Sequence, residues 1–444
     1  MTVTRRTLLA AGSATIALLP GCGVGKDDTA SLLPTPTRGP EPDPWSAPGM
    51  EDLAAFPSGL RVGDATTSGA VLSVLTAEPA LTLVVMTADD LDWVEHTRRS
   101  LTPVDGVVSA TLDDLDADTA YALAVYADDT RRTAVVRLRT AATEARVLRF
   151  GATSCLGDAN PDLPCLGYVA ADALDFFLLL GDAVYADGST TVAEYRRYWA
   201  EVLARPTVRA ALGSTSLVAT WDDHEVDNNW SMQGVTDDQY AAALSTYLES
   251  LPQEGGPTGR IWRTLSWGST AELFVLDCRS ERLDGRYISA EQMAWLRDAL
   301  ATSTARFKII LNSVPITDLT RLFDQVEIDD RWDGHPEDRT EILTYIRDAG
   351  IAGVVWVTGD VHFGAVTRVD APGGPGADAW EVFTGPAGSF PNPLVDYFPA
   401  DEQYTWLSSA WNWVRFTCDP GLGTVQVEHI DSDGQVIHDV TLTP

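Results

Sequence analysis

Two apolar runs in this chain end in the dipeptide Gly-Asp: Phe176-Phe177-Leu178-Leu179-Leu180 leads into Gly181-Asp182, and Val354-Val355-Trp356-Val357-Thr358 leads into Gly359-Asp360. A run of this length bounded by glycine reads as a strand buried on both faces, and in such sheets the reactive groups sit just past the strand carboxyl ends. The two carboxylates are therefore expected to meet. Tyr185 follows the first and His362 follows the second. Carboxylate, phenolate and imidazole at one sheet edge point to a metal centre, because each offers a lone pair and the carboxylate a charge as well. Asp182 can bridge two cations, one on each oxygen, its charge screening their repulsion. A second cluster, Asp222-Asp223-His224-Glu225, directly follows Leu217-Val218-Ala219-Thr220-Trp221. That much charge at a strand end calls for cations or hydrogen-bond partners.

The elements that must hold these groups follow the same grammar from Val147 onward. Apolar runs end repeatedly in polar residues, at Leu148 to Cys155, Leu217 to His224, Leu273 to Asp277 and Ile309 to Asn312. Helical spacing runs between them from Ala193 to Leu212 and from Ala290 to Leu300, and the tail from Val414 to Cys418 and Thr424 to Glu428 returns to strands. The expectation is an α/β unit. From Arg61 to Thr140 the pattern is shorter and alternating, as in Val71 to Leu75, Leu81 to Val85, Val107 to Leu112, Tyr121 to Tyr126 and Val135 to Arg139. This predicts an all-β sandwich of about seven strands. The stretch Leu115 to Tyr121 resembles the corner of fibronectin type III domains, where a tyrosine locks the turn, and it holds no catalytic constellation. No internal repeat and no mature membrane span are evident.

At 444 residues, with 45% apolar residues, the chain can bury a core and should form two or three domains. Its 31 Lys and Arg against 64 Asp and Glu leave a net charge of −33. That charge repels nucleic acid and anionic lipid, so no stable nucleic-acid complex is expected and cations are the natural partners. Most of it reads as a soluble surface. Arg5-Arg6 before the apolar stretch Leu8 to Leu19 match a twin-arginine export signal, so the export machinery is a partner and the destination is the bacterial cell surface, periplasm or exterior. Leu18-Leu19-Pro20-Gly21-Cys22 resembles a lipobox, with Pro20 a departure from it. Cys22 would then carry a lipid, the chain's one membrane contact, and a plain cleaved signal is the alternative. Residues 23 to 57, with Pro34, Pro36, Pro40, Pro42, Pro44 and Pro48, read as an extended tether. The chain closes soon after its last strands, without a long carboxyl-terminal helix, from which an open cleft able to admit diesters is expected. Cys165, Cys278 and Cys418 are left without an assigned disulfide; His335 is unassigned, and His96, His429 and His438 read as surface residues.

Ser154-Cys155, Gly181-Asp182-x-x-Tyr185, Trp221 to Asn229, Leu276-Asp277-Cys278-Arg279 and Gly359-Asp360-Val361-His362 occur in the order seen in the PhoD-like alkaline phosphatases, a family of the calcineurin-like metallophosphoesterase superfamily. The resemblance covers about Val147 to the end, and the family's β-sandwich resembles residues 58 to 142. It implies an N-terminal fibronectin III or Ig-like sandwich (58 to 142), then a metallophosphoesterase domain (143 to 444) with a β-sandwich core flanked by helices. It also implies a ferric ion held by Cys155, Asp182, Tyr185 and His362, and calcium held by Asp222, Asp223, Asp360 and Asn228 or Asn229. A phenolate suits ferric iron, and Asp and Asn oxygens suit calcium or another hard divalent ion. Tyr185 as a loop anchor and Cys155 as a small buried residue are the structural alternatives. His224 would protonate the departing alkoxide, or orient or bind phosphate, and Arg279 would hold phosphate oxygens, or form an ion pair with Asp277 or another local acid. The expected reaction is hydrolysis of small-molecule or polymeric phosphate mono- or diesters, teichoic-acid-like, phospholipid or nucleotide diesters among them. A surface binding lipoprotein whose metals serve structure alone is the non-enzymatic alternative.

Overall fold

The computed structural model describes Thr37 and residues 41–444, apart from Asp284, Gln325 and the Thr258 side chain. The signal over residues 1 to 22, Cys22 included, lies outside the described residues, as does most of the tether before residue 41.

Two large sheets carry the strand ends that matter. The first is ordered Val436–Leu442, Thr424–Asp431, Asn412–Asp419, Leu148–Thr153, Phe176–Leu180, Ser216–Thr220, Leu60–Gly63, Ala70–Leu75 and Val107–Leu112. The second is ordered Arg263–Trp267, Ala271–Val275, Phe307–Asn312, Val354–Thr358, Trp380–Phe383, Gly364–Arg368 and Tyr404–Ser408. Leu148–Thr153, Phe176–Leu180 and Ser216–Thr220 are parallel neighbours, as are Ala271–Val275, Phe307–Asn312, Val354–Thr358 and Trp380–Phe383.

Parallel strands are covered on both faces, which is why their sequences are unbroken apolar runs. On one face Phe150, Phe176, Leu178 and Leu180 share a core with Val275, Ile309, Leu311, Val355 and Val357 of the other sheet. On the opposite face Phe177 and Leu179 pack with Trp199 of helix Val192–Leu203 and Tyr247 of helix Asp237–Ser250. Phe274, Ile310 and Trp356 pack with Leu296 of Ala290–Thr302 and Ile342 of Pro336–Asp348. A two-sheet core flanked by helices results. The helical spacing over 193 to 212 proves to be two helices, Val192–Leu203 and Pro206–Leu212, because Pro206 lacks an N–H and opens a new helix. Among the described residues no helix is long and apolar enough to cross a membrane.

The alternating region is all-β, but its strands divide. Met50–Glu51, Leu81–Asp89, Asp92–Leu101, Ala120–Tyr126, Arg131–Arg132 and Val136–Arg139 form a sheet of their own, whereas Leu60–Gly63, Ala70–Leu75 and Val107–Leu112 extend the first large sheet through the pairing of Gly63 with Leu217. Tyr121 Oη accepts the Asp116 N–H at 2.8 Å and closes the corner. The buried Asp64 carboxylate takes Arg263 of the second sheet through both oxygens, each at 2.7 Å.

Two sequence readings need correction. Residues 41–57, read as part of an extended tether, lie against the six-stranded sheet: Met50–Glu51 pairs with Arg131–Arg132, Phe56 is buried, and Ala47 packs with Val84, Ala124 and Tyr126. Apolar side chains among the prolines dock the segment together with its backbone, the Pro48 carbonyl accepting Tyr126 Oη at 3.0 Å and the Asp43 carbonyl accepting Trp93 Nε1 at 2.7 Å. His429, read as a surface residue, is fully buried on the inward face that it shares with Val425 and Val427, and its Nε2 faces the Phe383 carbonyl at 3.1 Å. Cys155, Cys165, Cys278 and Cys418 are buried and free.

Candidate metal centre

Five strand ends converge. Leu148–Thr153 delivers Cys155; Phe176–Leu180 delivers Asp182 and Tyr185; Ser216–Thr220 delivers Asp222, Asp223 and His224; Ala271–Val275 delivers Arg279; and Val354–Thr358 delivers Asp360 and His362. Their donor atoms form three overlapping triads, Cys155 with Asp182 and His362, Asp182 with Asp223 and His224, and Asp222 with Asp223 and Asp360, each within 4.8 Å. Asp182 belongs to the first two and Asp223 to the last two. Tyr185 Oη joins the first, 3.1 Å from Asp182 Oδ2 and 3.2 Å from His362 Nε2. Asn228 and Asn229 line a cleft of about 260 Å³ together with Asp182, Asp223, His224, Asp360 and His362.

The turns that aim these groups are sterically demanding. Cys155, Asp182, Asp360 and His362 hold left-handed φ values of 56, 55, 69 and 59°. Non-glycine residues in that region are strained and persist where the surrounding structure fixes them. The glycines answer to close packing. A Cβ on Gly181, whose φ is 90°, would lie 2.4 Å from Asp222 Cβ, and one on Gly359 would lie 2.6 Å from Ser154 Cβ.

A supporting set of residues holds the donors. Glu225 accepts the backbone N–H groups of Asp182 at 3.1 Å, Ala183 at 2.6 Å and Asp222 at 2.8 Å, so it ties two strand ends together instead of facing the cleft. His362 Nδ1 lies 2.9 Å from the Phe390 carbonyl, which can only accept, so Nδ1 carries the proton and Nε2 offers its lone pair. Ser389 Oγ lies 2.6 Å from Tyr185 Oη. His224 Nδ1 is 2.8 Å from Asp187, which leaves Nε2 to the cleft. Asp187, Ser389 and Phe390 were not anticipated. Asp187 could have been, since it stands two residues past Tyr185; Ser389 is 204 residues away and carries no motif.

Electrostatics argue that the cluster is built for cations. Burial, with the neighbouring acids adding to it, holds the carboxyls of Asp182 and Asp360 well above their usual range. Burial also pushes up Cys155 and Tyr185, and the Asp182 charge adds to both. Asp222 is raised by burial to about 6 although Arg279 opposes the shift. Burial alone would lower His224, yet Asp187, Asp182 and Asp223 carry it up to about 10. Asp182 Oδ1 and Asp222 Oδ2 are buried without a hydrogen-bond partner. Unpartnered carboxylate oxygens in a cluster of like charge are costly, and bound cations reverse the cost. The donor set fits them, with sulfur, phenol and imidazole around one end of Asp182 and oxygens alone at the Asp222, Asp223 and Asp360 end.

Arg279 is placed differently from a phosphate clamp. Its side chain has no exposed surface; Nε donates to Asp222 Oδ1 at 2.6 Å and Nη1 to Asp330 Oδ1 at 2.5 Å. Nη2 lies 3.8 Å from Asp223 and 4.0 Å from Asp360 and makes no hydrogen bond. The planar fork is thus taken up by acids, and Asp277 instead accepts the Arg279 backbone N–H at 3.1 Å. His335 stands outside the cleft, its ring nitrogens facing the Gly285 and Asp329 carbonyls at 2.9 and 3.0 Å.

A model of the PhoD-like phosphatases matches residues 150–428, a span that includes every candidate donor. The chain belongs to the PhoD-like phosphatase family. Alkaline phosphatase D of Bacillus subtilis (strain 168) is similar at 25% identity, over 48% of this chain and 46% of that relative. The chain thus aligns with about half the length of that curated family member. A solved structure of PhoD superposes with a TM-score of 0.76 at 19% identity, covering 88% of this chain and 89% of the other. Purple acid phosphatase PPD1 from yellow lupin (Lupinus luteus) seeds superposes with a TM-score of 0.63 at 14% identity, covering 86% and 73%. At these identities the likeness is one of fold, and it extends the family's architecture over nearly the whole described chain.

Proposed function

We propose that this chain is an exported, metal-dependent phosphoesterase that hydrolyses phosphate mono- or diesters. The observation that carries this reading is the run of overlapping donor triads through Asp182, with its unpartnered buried oxygen, in a PhoD-like phosphatase. Cys155, Asp182, Tyr185 and His362 fit a ferric ion, and Asp222, Asp223 and Asp360, with Asn228 or Asn229, fit calcium or another hard divalent ion. When bound, these cations would neutralise phosphoryl oxygens and acidify a water for attack on phosphorus.

The chain's own groups do the rest. Asp182 joins the two donor sets and fixes their spacing. His224, oriented through Nδ1 by Asp187, presents Nε2 to the cleft and gives a proton to the departing alkoxide. Arg279 locks Asp222 in place and offsets the acidic cluster, so its role is to position the oxygen donors. In the same reading residues 1 to 22 direct twin-arginine export, Cys22 carries the lipid that anchors the chain outside the cytoplasm, and residues 58 to 142 form a fibronectin III-like module. The Tyr121 corner supports the last point.

The test is hydrolysis of a chromogenic phosphate monoester and its matching diester by the full chain supplied with iron and calcium. Turnover of either, lost on chelation and regained on metal return, is expected, and the ratio sets mono- against diesterase preference. Tyr185→Phe should abolish a visible phenolate-to-iron absorption. Metal-loaded protein inert towards both esters would favour a binding role.

A further inference from the structure

Two segments at the metal cleft carry large apolar side chains turned to water. Val326 lines the cleft and is 64% exposed, and on the segment after Ser389 the side chains of Phe390, Leu394 and Tyr397 are 79, 71 and 87% exposed. Tyr397 and Phe390 are the two most exposed of all large apolar side chains among the described residues. Exposed apolar groups scattered singly are ordinary, whereas a concentration beside a cleft marks an interaction site.

The geometry holds them there. Pro393–Tyr397 is a 3₁₀ helix, in which residues three apart eclipse, so Leu394 and Tyr397 share one side. Val395 points the other way, buried with Leu319, Phe363, Phe383 and Tyr404. The segment is pinned to the metal centre by the Phe390 carbonyl on His362 Nδ1 and by the Asn392 N–H on the His362 carbonyl, each at 2.9 Å. Asp396 takes the Ser409 backbone N–H at 3.0 Å and fastens the far end. The rim therefore cannot fold its apolar groups inward without pulling on a candidate ligand.

Charge narrows the partner. From Ser389 to Ala400 the one charged residue is Asp396, and the chain as a whole carries −33, so an anionic surface is repelled. The side chains project outward, and the arginines beside them are already taken, Arg331 by Asp333 at 3.0 Å and Arg321 by Asp401 at 2.7 Å, which suits a lipid interface of zwitterionic headgroups better than an acidic protein or polymer.

We propose that this rim seats on a zwitterionic lipid surface and engages the acyl region there, bringing amphiphilic phosphate esters to the metal cleft. The inference rests on the phosphoesterase reading. The experiment compares the full chain with its Leu394→Ser/Tyr397→Ser variant, both carrying Cys22→Ser so that no amino-terminal lipid contributes. Partition onto phosphatidylcholine vesicles is measured by co-sedimentation, beside turnover of a soluble chromogenic ester. The parent should bind the vesicles at least tenfold better than the variant, with the same kcat/KM on the soluble ester. Its hydrolysis of a short-chain phosphatidylcholine should rise steeply where micelles form, and the variant's should not. Equal partition of the two proteins, or binding by the parent to anionic vesicles alone, overturns the rim. Loss of soluble-ester turnover in both proteins strikes at the phosphoesterase reading instead.

Discussion

Asp182 sits where two donor sets overlap, and its left-handed backbone decides how it should be probed. Asn tolerates that conformation, whereas Ala adds a backbone cost of roughly 1–2 kcal/mol to any chemical effect. Asp182→Asn should therefore isolate the chemistry. Ester hydrolysis should fall by more than about 100-fold and bound metal should drop with it, while the unfolding temperature of the metal-free protein holds, as read by kinetics, elemental analysis and calorimetry. Survival of activity within tenfold would remove Asp182 from the bridging role. Asp187→Asn is expected to act on His224 alone, slowing an alkyl phosphate by about 10² while sparing a p-nitrophenyl ester whose leaving group needs little protonation. Equal losses on both esters would show that Asp187 does not work through the proton donor. At this scale the metal donors were legible because strand, glycine and ligand are adjacent in sequence. Ser389 and Phe390 were not, because what they hold, Tyr185 and His362, comes to them only through the fold. Arg279 was half legible: its place after a strand was clear, but which acids would occupy its fork depended on Asp330, from the 3₁₀ turn Ile328–Asp330, 51 residues on.

Strands and the turns after them form the next scale. The Gly-Asp junction exists because the backbone after Phe176–Leu180 passes against Asp222, leaving no room for a side chain at Gly181. Gly181→Ala should therefore displace the Asp222 strand end and strain the φ of 90°, costing on the order of 1–3 kcal/mol. Thermal unfolding and metal retention would both report it, and an unchanged melting temperature with full metal content would contradict the steric reading. Unbroken apolar runs made the parallel strands readable, since burial on both faces leaves no other composition. The docked segment 41–57 resembles a tether because its prolines mask what secures it, the apolar Trp45, Ala47 and Phe56, the pairing of Met50–Glu51 with Arg131–Arg132 and the ion pair of Glu41 with Arg139. His429 stands in plain period-two register with Val425 and Val427, and that register, not the polarity of the ring, decides its burial.

Across the whole molecule, the division of the amino-terminal strands between two sheets had no local signature. It depends on Gly63 meeting Leu217, and on Asp64 meeting Arg263 199 residues away. That buried ion pair should be expensive to break from one side: Asp64→Ala leaves a guanidinium unpaired in the interior and should cost about 3–5 kcal/mol, seen as a lower melting temperature of the entire chain. Loss confined to an early, separate transition would mean that the amino-terminal strands melt independently. The nine-stranded sheet gives the expectation its physical basis, and it reaches beyond stability. Amide protons in Leu72 and Val74 and those in Leu178 and Leu180 belong to one sheet, so they should exchange with deuterium on a common slow clock. The metal cleft would then be among the last places in the molecule to open.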